Sequence, residues 1–134
     1  MVKGVISINI AVADAERAIK RYEDVLKIDP VYFKKEEFAF PNLKGAKFNL
    51  GNTIINVIGS STDDTSIARF VKSRGDGVFL VALSVDDIEK DVKEMKEKGV
   101  QFVTEIQDVP AGRVTFSHPK SMHGVQFEIM QLKK

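Results

Sequence analysis

The stretch Ile10-Ala11-Val12-Ala13-Asp14-Ala15-Glu16 returns 73 residues later as Leu83-Ser84-Val85-Asp86-Asp87-Ile88-Glu89. Each copy ends an apolar, strand-like run and places an acidic residue where a helix begins. The same offset pairs Val12 with Val85, Ile19 with Val92 and Tyr22 with Met95. A duplicated strand-to-helix unit is therefore the organising feature of the chain.

In the first copy Asp14 is a natural N-cap, because its carboxylate accepts from the free amides of a first helical turn. Ala15, Ala18, Ile19, Tyr22 and Leu26 then make one apolar stripe at helical period. In the second copy Ile88, Val92 and Met95 make the stripe. Asp86 and Glu89 have capping-box spacing, and Gly99 suits the left-handed residue after a helix end. Glu89 with Lys93 and Glu94 with Lys98 read as ion pairs along the helix surface.

Outward from the helices come strand signals. Val31-Tyr32-Phe33 is short. Ala46–Leu50 and Thr53–Ile58 flank Gly51-Asn52, a tight-turn pair. Ser66–Ser73 reads as a brief helix stopping at Gly75, after the polar loop Gly59–Thr65. Val100–Ile106, Arg113–Ser117 and Gly124–Met130 are the later strands. The prediction is an α+β fold of two tandem β-α-β-β-β modules. Residues 1–134 form one domain, with repeat 1 at about 1–60 and repeat 2 at about 77–134. A ferredoxin-like domain, with fewer strands, is the alternative. Each module has one helix-covered sheet face, and the two uncovered faces are expected to enclose a cleft.

Period two assigns side chains to faces. Ile6, Ile8, Ile10 and Val12 go under the first helix, leaving Val5, Ser7, Asn9 and Ala11 for the cleft. In the second copy Phe79, Val81, Leu83 and Val85 go under the helix, leaving Val78, Leu80, Ala82 and Ser84. In the last strand Val125, Phe127 and Ile129 share one face, while Gln126, Glu128 and Met130 share the other. The repeat aligns Asn56 with Glu128. A carboxylate between Phe127 and Ile129 is exposed to desolvation, which raises its pKa and suits it to accept a proton. Phe38, Phe40 and Phe48 are expected in the core.

Composition limits the function classes. The 134 residues carry 20 Lys+Arg against 19 Asp+Glu, and no cysteine. Disulfides, thiolate zinc sites and cysteine nucleophiles are excluded, and the balanced charge gives no nucleic-acid footprint. No apolar run is long enough to span a bilayer, and the first residues lack the layout of a signal peptide. The expectation is a cytoplasmic protein with a small-molecule ligand and neither nucleic acid nor membrane as partner. The two histidines, His118 and His123, bracket a turn before the last strand. Arg69, Lys72, Arg74, Arg113 and Lys120 are candidate anion contacts, although 20 basic residues matched by acids describe an ordinary solvated surface.

The doubled layout, with Ile10-Ala11-Val12 before Asp14 and Val85-Asp86-Asp87 at the matched place, resembles the vicinal oxygen chelate (glyoxalase/bleomycin-resistance) superfamily. Ile67–Gly77, Val85–Glu89, Lys96–Val100 and His118-Pro119-Lys120-Ser121 followed by Gly124-Val125 are similar to the methylmalonyl-CoA epimerase family. The resemblance implies a glyoxalase-like cleft, a homodimer and one divalent metal. The metal would be held by His, Gln or Glu, His and Glu from four strands. Those four places are Ser7, Asn56, Leu80 and Glu128 here, so only Glu128 keeps a family-type ligand. The second acid/base carboxylate would fall near Phe40-Pro41, with Glu36 and Glu37 close by but unaligned.

The expectation is therefore a protein with no cofactor that binds a small organic acid or acyl thioester. Glu128 is the candidate catalytic residue, and Ser7, Asn9, Asn56, Leu80 and Lys120 are candidate ligand contacts. If the chain is active, an isomerase or lyase chemistry is implied. One alternative is an active metal-dependent epimerase using Glu128, Asn56 and a recruited His118 or His123. Another is a non-catalytic partner subunit kept for dimerisation.

Overall fold

A computed structural model describes all residues, 1–134. It is a mixed α+β structure of eight strands and three helices. The elements are β1 (Val2–Ala11), α1 (Ala15–Leu26), β2 (Val31–Tyr32), β3 (Leu43–Asn49), β4 (Ile54–Ser60) and α2 (Ser66–Arg74). They are followed by β5 (Gly77–Val85), α3 (Ile88–Glu97), β6 (Gln107–Val109), β7 (Gly112–Phe116) and β8 (Gln126–Leu132). Short 3-10 turns occupy Lys35–Glu37 and Pro119–Met122. The β-α-β-β-β order appears twice, as the repeat predicts. No helix is long and apolar enough to cross a membrane.

Contacts gather the chain into two compact units, Ser7–Phe79 and Met1–Ile6 with Leu80–Lys134. In the first unit β4 runs parallel to β1 and antiparallel to β3, and β2 flanks β3. Asp14 caps α1 as expected, accepting from the Arg17 amide at 3.1 Å. Ala15 and Ile19 from its apolar stripe pack with Val12, Ala46, Phe48 and Val57. Phe48 is completely buried. A second cluster lies around α2, where Ile67 packs with Ala11, Ile58, Phe38 and Phe79.

That second cluster corrects two expectations. Ala11 does not face an open cleft; the α2 cluster buries it completely. Phe79 does not lie under the second-copy helix. It meets Phe70 of α2 edge-on, with centroids 5.3 Å apart. A short helix whose apolar side chains have no other partner covers whatever apolar surface its unit offers. Phe40, expected in the core, is 41% exposed.

In the other unit β8 runs parallel to β5 and antiparallel to β7, and β6 is paired with β7. Ile88, Val92 and Met95 of α3 pack on Leu83, Val85, Phe127 and Ile129. The N-cap is Asp87, which accepts from Lys90 N at 3.2 Å, one residue beyond the predicted capping box. The repeat itself aligns Asp87 with Asp14. Glu89 pairs with Arg113 at 3.1 Å instead of following the helix-surface pattern. Gly75 and Gly99, at the ends of α2 and α3, have positive φ of 78° and 93°, which glycine adopts without steric cost.

The predicted strand Val100–Ile106 does not form; only Phe102 makes an isolated bridge, to Ser117. Phe102 and Ile106 are apolar because they pack in the α3 cluster. Thr104 gives its carbonyl to the Thr115 hydroxyl at 2.7 Å. The ladder resumes at Gln107.

Candidate functional site

In the Ser7–Phe79 unit, Ile55 and Val57 pack against α1. Alternation on β4 therefore turns Asn56 to the sheet face opposite α1. Register places Asn56 beside Asn9, with Ser7 two positions along β1 on the same face. These three side chains form one network. Asn9 Oδ1 accepts from the Ser7 hydroxyl at 3.0 Å and from Asn56 Nδ2 at 2.8 Å. Ser7 is buried, and Asn56 Oδ1 is a buried acceptor with no donor in the structure. The Nδ2 bond to Asn9 holds Asn56 so that its oxygen is the unused end.

In the other unit, Phe127 and Ile129 pack with α3, so Glu128 takes the face opposite that helix. Its neighbours across the two ladders are Ala82 on β5 and Phe116 on β7. Both are buried apolar side chains. The half-buried carboxyl has no hydrogen-bond or ion-pair partner to offset lost hydration, and desolvation pushes its pKa up to about 7. Leu80 lies two residues from Ala82 on the same face and is 3% exposed. A carboxyl titrating near neutrality both accepts and returns a proton in that range, which is the requirement for acid/base work.

The two units thus use matched strand positions. The Asn9–Asn56 register pair of one corresponds to the Ala82–Glu128 pair of the other. Of the expected contacts, Ser7, Asn9 and Asn56 are brought together. Leu80 and Glu128 share a sheet face. Lys120 lies in the turn before β8 with an exposed side chain, and its backbone amide donates to His118 Nδ1 at 3.1 Å. His118 is occupied in capping that turn, and His123 is exposed at its left-handed end. Glu37 accepts from the Lys34 amide at 2.9 Å and Glu36 is exposed. One residue went unread in the sequence. Gln107, just beyond the predicted strand Val100–Ile106, has its Nε2 buried and without an acceptor.

The sequence profile of the Glyoxalase/Bleomycin resistance protein/Dioxygenase superfamily matches residues 4–129. The chain belongs to that superfamily. It is 31% identical over 128 residues to the mitochondrial methylmalonyl-CoA epimerase of Bos taurus, covering 91% of this chain and 70% of that protein. It superimposes on the methylmalonyl-CoA epimerase of Mycobacterium tuberculosis with a TM-score of 0.84 at 27% identity, covering 99% of this chain and 90% of the other. The hypothetical protein BH1468 of Bacillus halodurans gives 0.86 at 28% identity, covering 98% and 95%. The ferredoxin-like alternative is thereby excluded.

The relatives overturn one expectation. A protein without a cofactor was anticipated, yet the chain is similar along nine-tenths of its length to methylmalonyl-CoA epimerases, the family for which the resemblance implies a divalent metal. The residues at the four implied ligand places do not themselves make a strong set for such an ion. Ser7 and Asn56 offer neutral oxygens, Leu80 offers no donor, and only Glu128 is ionisable. No group of three His, Cys, Asp or Glu side chains converges anywhere in the structure. Transition-metal dications favour imidazole, thiolate and carboxylate donors, so a family-type four-ligand centre does not fit these side chains.

Proposed function

We propose that the protein binds an acyl-CoA thioester, with Glu128 as the group that meets the acyl part and accepts its α-proton. The observation that carries this reading is the Glu128 carboxyl itself. It is half-buried between Ala82 and Phe116, unpartnered, and raised to about 7 by desolvation. Similarity to enzymes named for methylmalonyl-CoA supplies the ligand class. Within the Ser7–Phe79 unit, Ser7, Asn9 and Asn56 are read as candidate polar contacts, with Asn56 Oδ1 as the free acceptor.

Epimerisation needs a proton removed on one face of the α-carbon and supplied on the other. The stretch near Phe40-Pro41 holds no second carboxylate, and Glu37 is engaged with the Lys34 amide. A single base returns the proton to the face it came from. The expected chemistry is therefore α-proton exchange that outruns inversion.

The test is methylmalonyl-CoA in D2O, following deuterium incorporation by mass and interconversion of epimers by a stereospecific assay. Wild type is expected to incorporate deuterium faster than it inverts the centre. Glu128→Gln is expected to slow incorporation about 10²-fold or more while the thioester still binds. Exchange that survives Glu128→Gln, or failure of wild type to bind the thioester, overturns the reading. Exchange and inversion at equal rates would instead identify an active epimerase with a second acid.

A further inference from the structure

Gln107 stands on the same sheet face as Glu128. Residues directly opposite in an antiparallel ladder share a face. Gln107 is opposite Val114, Val114 is opposite Met130, and Phe116 is opposite Glu128. The other face carries different contacts. There Gln131 Oε1 accepts from the Ile88 amide at 2.9 Å and Arg113 reaches Glu89 at 3.1 Å, both on α3. Ile106, the preceding residue, also packs in the α3 cluster. Strand spacing and rise put Gln107 about 10 Å across the sheet and about 7 Å along it from Glu128. The surface between is apolar, made of Val114, Phe116 and Met130.

A buried amide donor without an acceptor destabilises a fold, because its lost hydration is not replaced. A methionine of similar shape would avoid that cost. Nothing in the structure accepts from Gln107 Nε2. The terminal torsion of glutamine is soft, so the amide turns toward an incoming acceptor without disturbing the strand.

We infer that Gln107 is a specificity-determining ligand contact, donating its amide N–H to an acceptor oxygen along the arm of the acyl thioester held at the Glu128 face. The inference rests on the function proposed above and adds a requirement to it. The two backbone positions stand about 12 Å apart, so the ligand must be elongated enough to reach from the Glu128 carboxyl to the Gln107 amide. A compact free acid does not span that distance.

The experiment pairs thermal unfolding with calorimetric titration of methylmalonyl-CoA for wild type, Gln107→Met and Gln107→Glu. Gln107→Met is expected to raise Tm by a few degrees and to weaken binding about tenfold. Gln107→Glu keeps an acceptor but loses the donor, so it is expected to weaken binding at least as much without the gain in Tm. Gln107→Met that binds within twofold of wild type, or that loses Tm together with affinity, overturns the inference and leaves the function standing. Wild type that does not bind the thioester overturns both.

Discussion

The two β-α-β-β-β units answer the same structural problem with opposite chemistry. On β1 and β4, Asn9 gathers Ser7 and Asn56 into a neutral network. On β5 and β8, the corresponding pair is Ala82 and Glu128, where the carboxyl has apolar side chains, Ala82 and Phe116, on both flanking strands. The helix-facing sides have kept their pattern: Ile55 and Val57 under α1 match Phe127 and Ile129 under α3. Packing tolerates few substitutions, because core volume must be filled. The opposite faces are free to diverge, since polarity there is constrained only by local hydrogen bonding and by the ligand. One face holds a neutral amide and hydroxyl network with one amide oxygen left over; the other holds a carboxyl in an environment that disfavours its charge.

Removing the centre of the neutral network breaks the comparison most severely. Asn9→Ala strips the acceptor from both Ser7 Oγ and Asn56 Nδ2. Two donors left without partners are expected to cost about 3 kcal/mol, read as a fall in the denaturation midpoint with unchanged m-value. Asn9→Asp retains the acceptor and is expected to lose much less. The double variant Asn9→Ala with Asn56→Ala removes one donor along with the acceptor, so its loss is smaller than the sum of the two single losses.

The strand and helix pattern was legible because it rests on period and duplication. Asp14, the α1 stripe, Gly99 and the second-copy core could all be read from spacing. Where the reading failed, tertiary contacts had overridden local pattern. Val100–Ile106 looks like a strand because Phe102 and Ile106 are apolar, but they serve the α3 cluster and leave the ladder to Gln107–Val109. The destination of α2, over Ala11 and Ile58, has no local signature. For the site, alternation placed Glu128 opposite Phe127 and Ile129, while burial was needed to decide which face the helix takes. Gln107 was invisible: a lone glutamine outside a recognised strand has no face until its register is known.

The carboxyl face gives the next effect. Glu128 has its folded pKa raised to about 7 from 4.5. Between those values the folded protein holds a proton that the unfolded chain has released. Stability contributed by this group is therefore greatest below about pH 4.5, falls as pH rises, and levels off above about 7. Glu128→Gln is expected to remove that decline and to stabilise the protein at pH 8 by about 1–3 kcal/mol. Parallel unfolding curves of wild type and variant from pH 5 to pH 8 check the sign. Curves that stay a constant distance apart would mean that Glu128 ionises as an ordinary surface carboxylate, and the contrast between the two faces would weaken.

The smallest effect probes what the units share. Asp14 and Asp87 cap α1 and α3 in the same way, each accepting from the amide three residues on, at 3.1 and 3.2 Å. Replacing either by alanine is expected to cost about 1 kcal/mol, the usual loss of an N-cap. The two losses should match and should add in the double variant, because each acts through its own first turn. Neither carboxylate touches Glu128 or the Ser7–Asn9–Asn56 network by any hydrogen bond, so thioester affinity should be unchanged when measured where both variants are fully folded. Unequal losses would show that duplication preserved the cap's geometry but not its energetic weight. A loss of affinity on removing one cap alone would show that the entry angle of that helix also fixes the face on its far side.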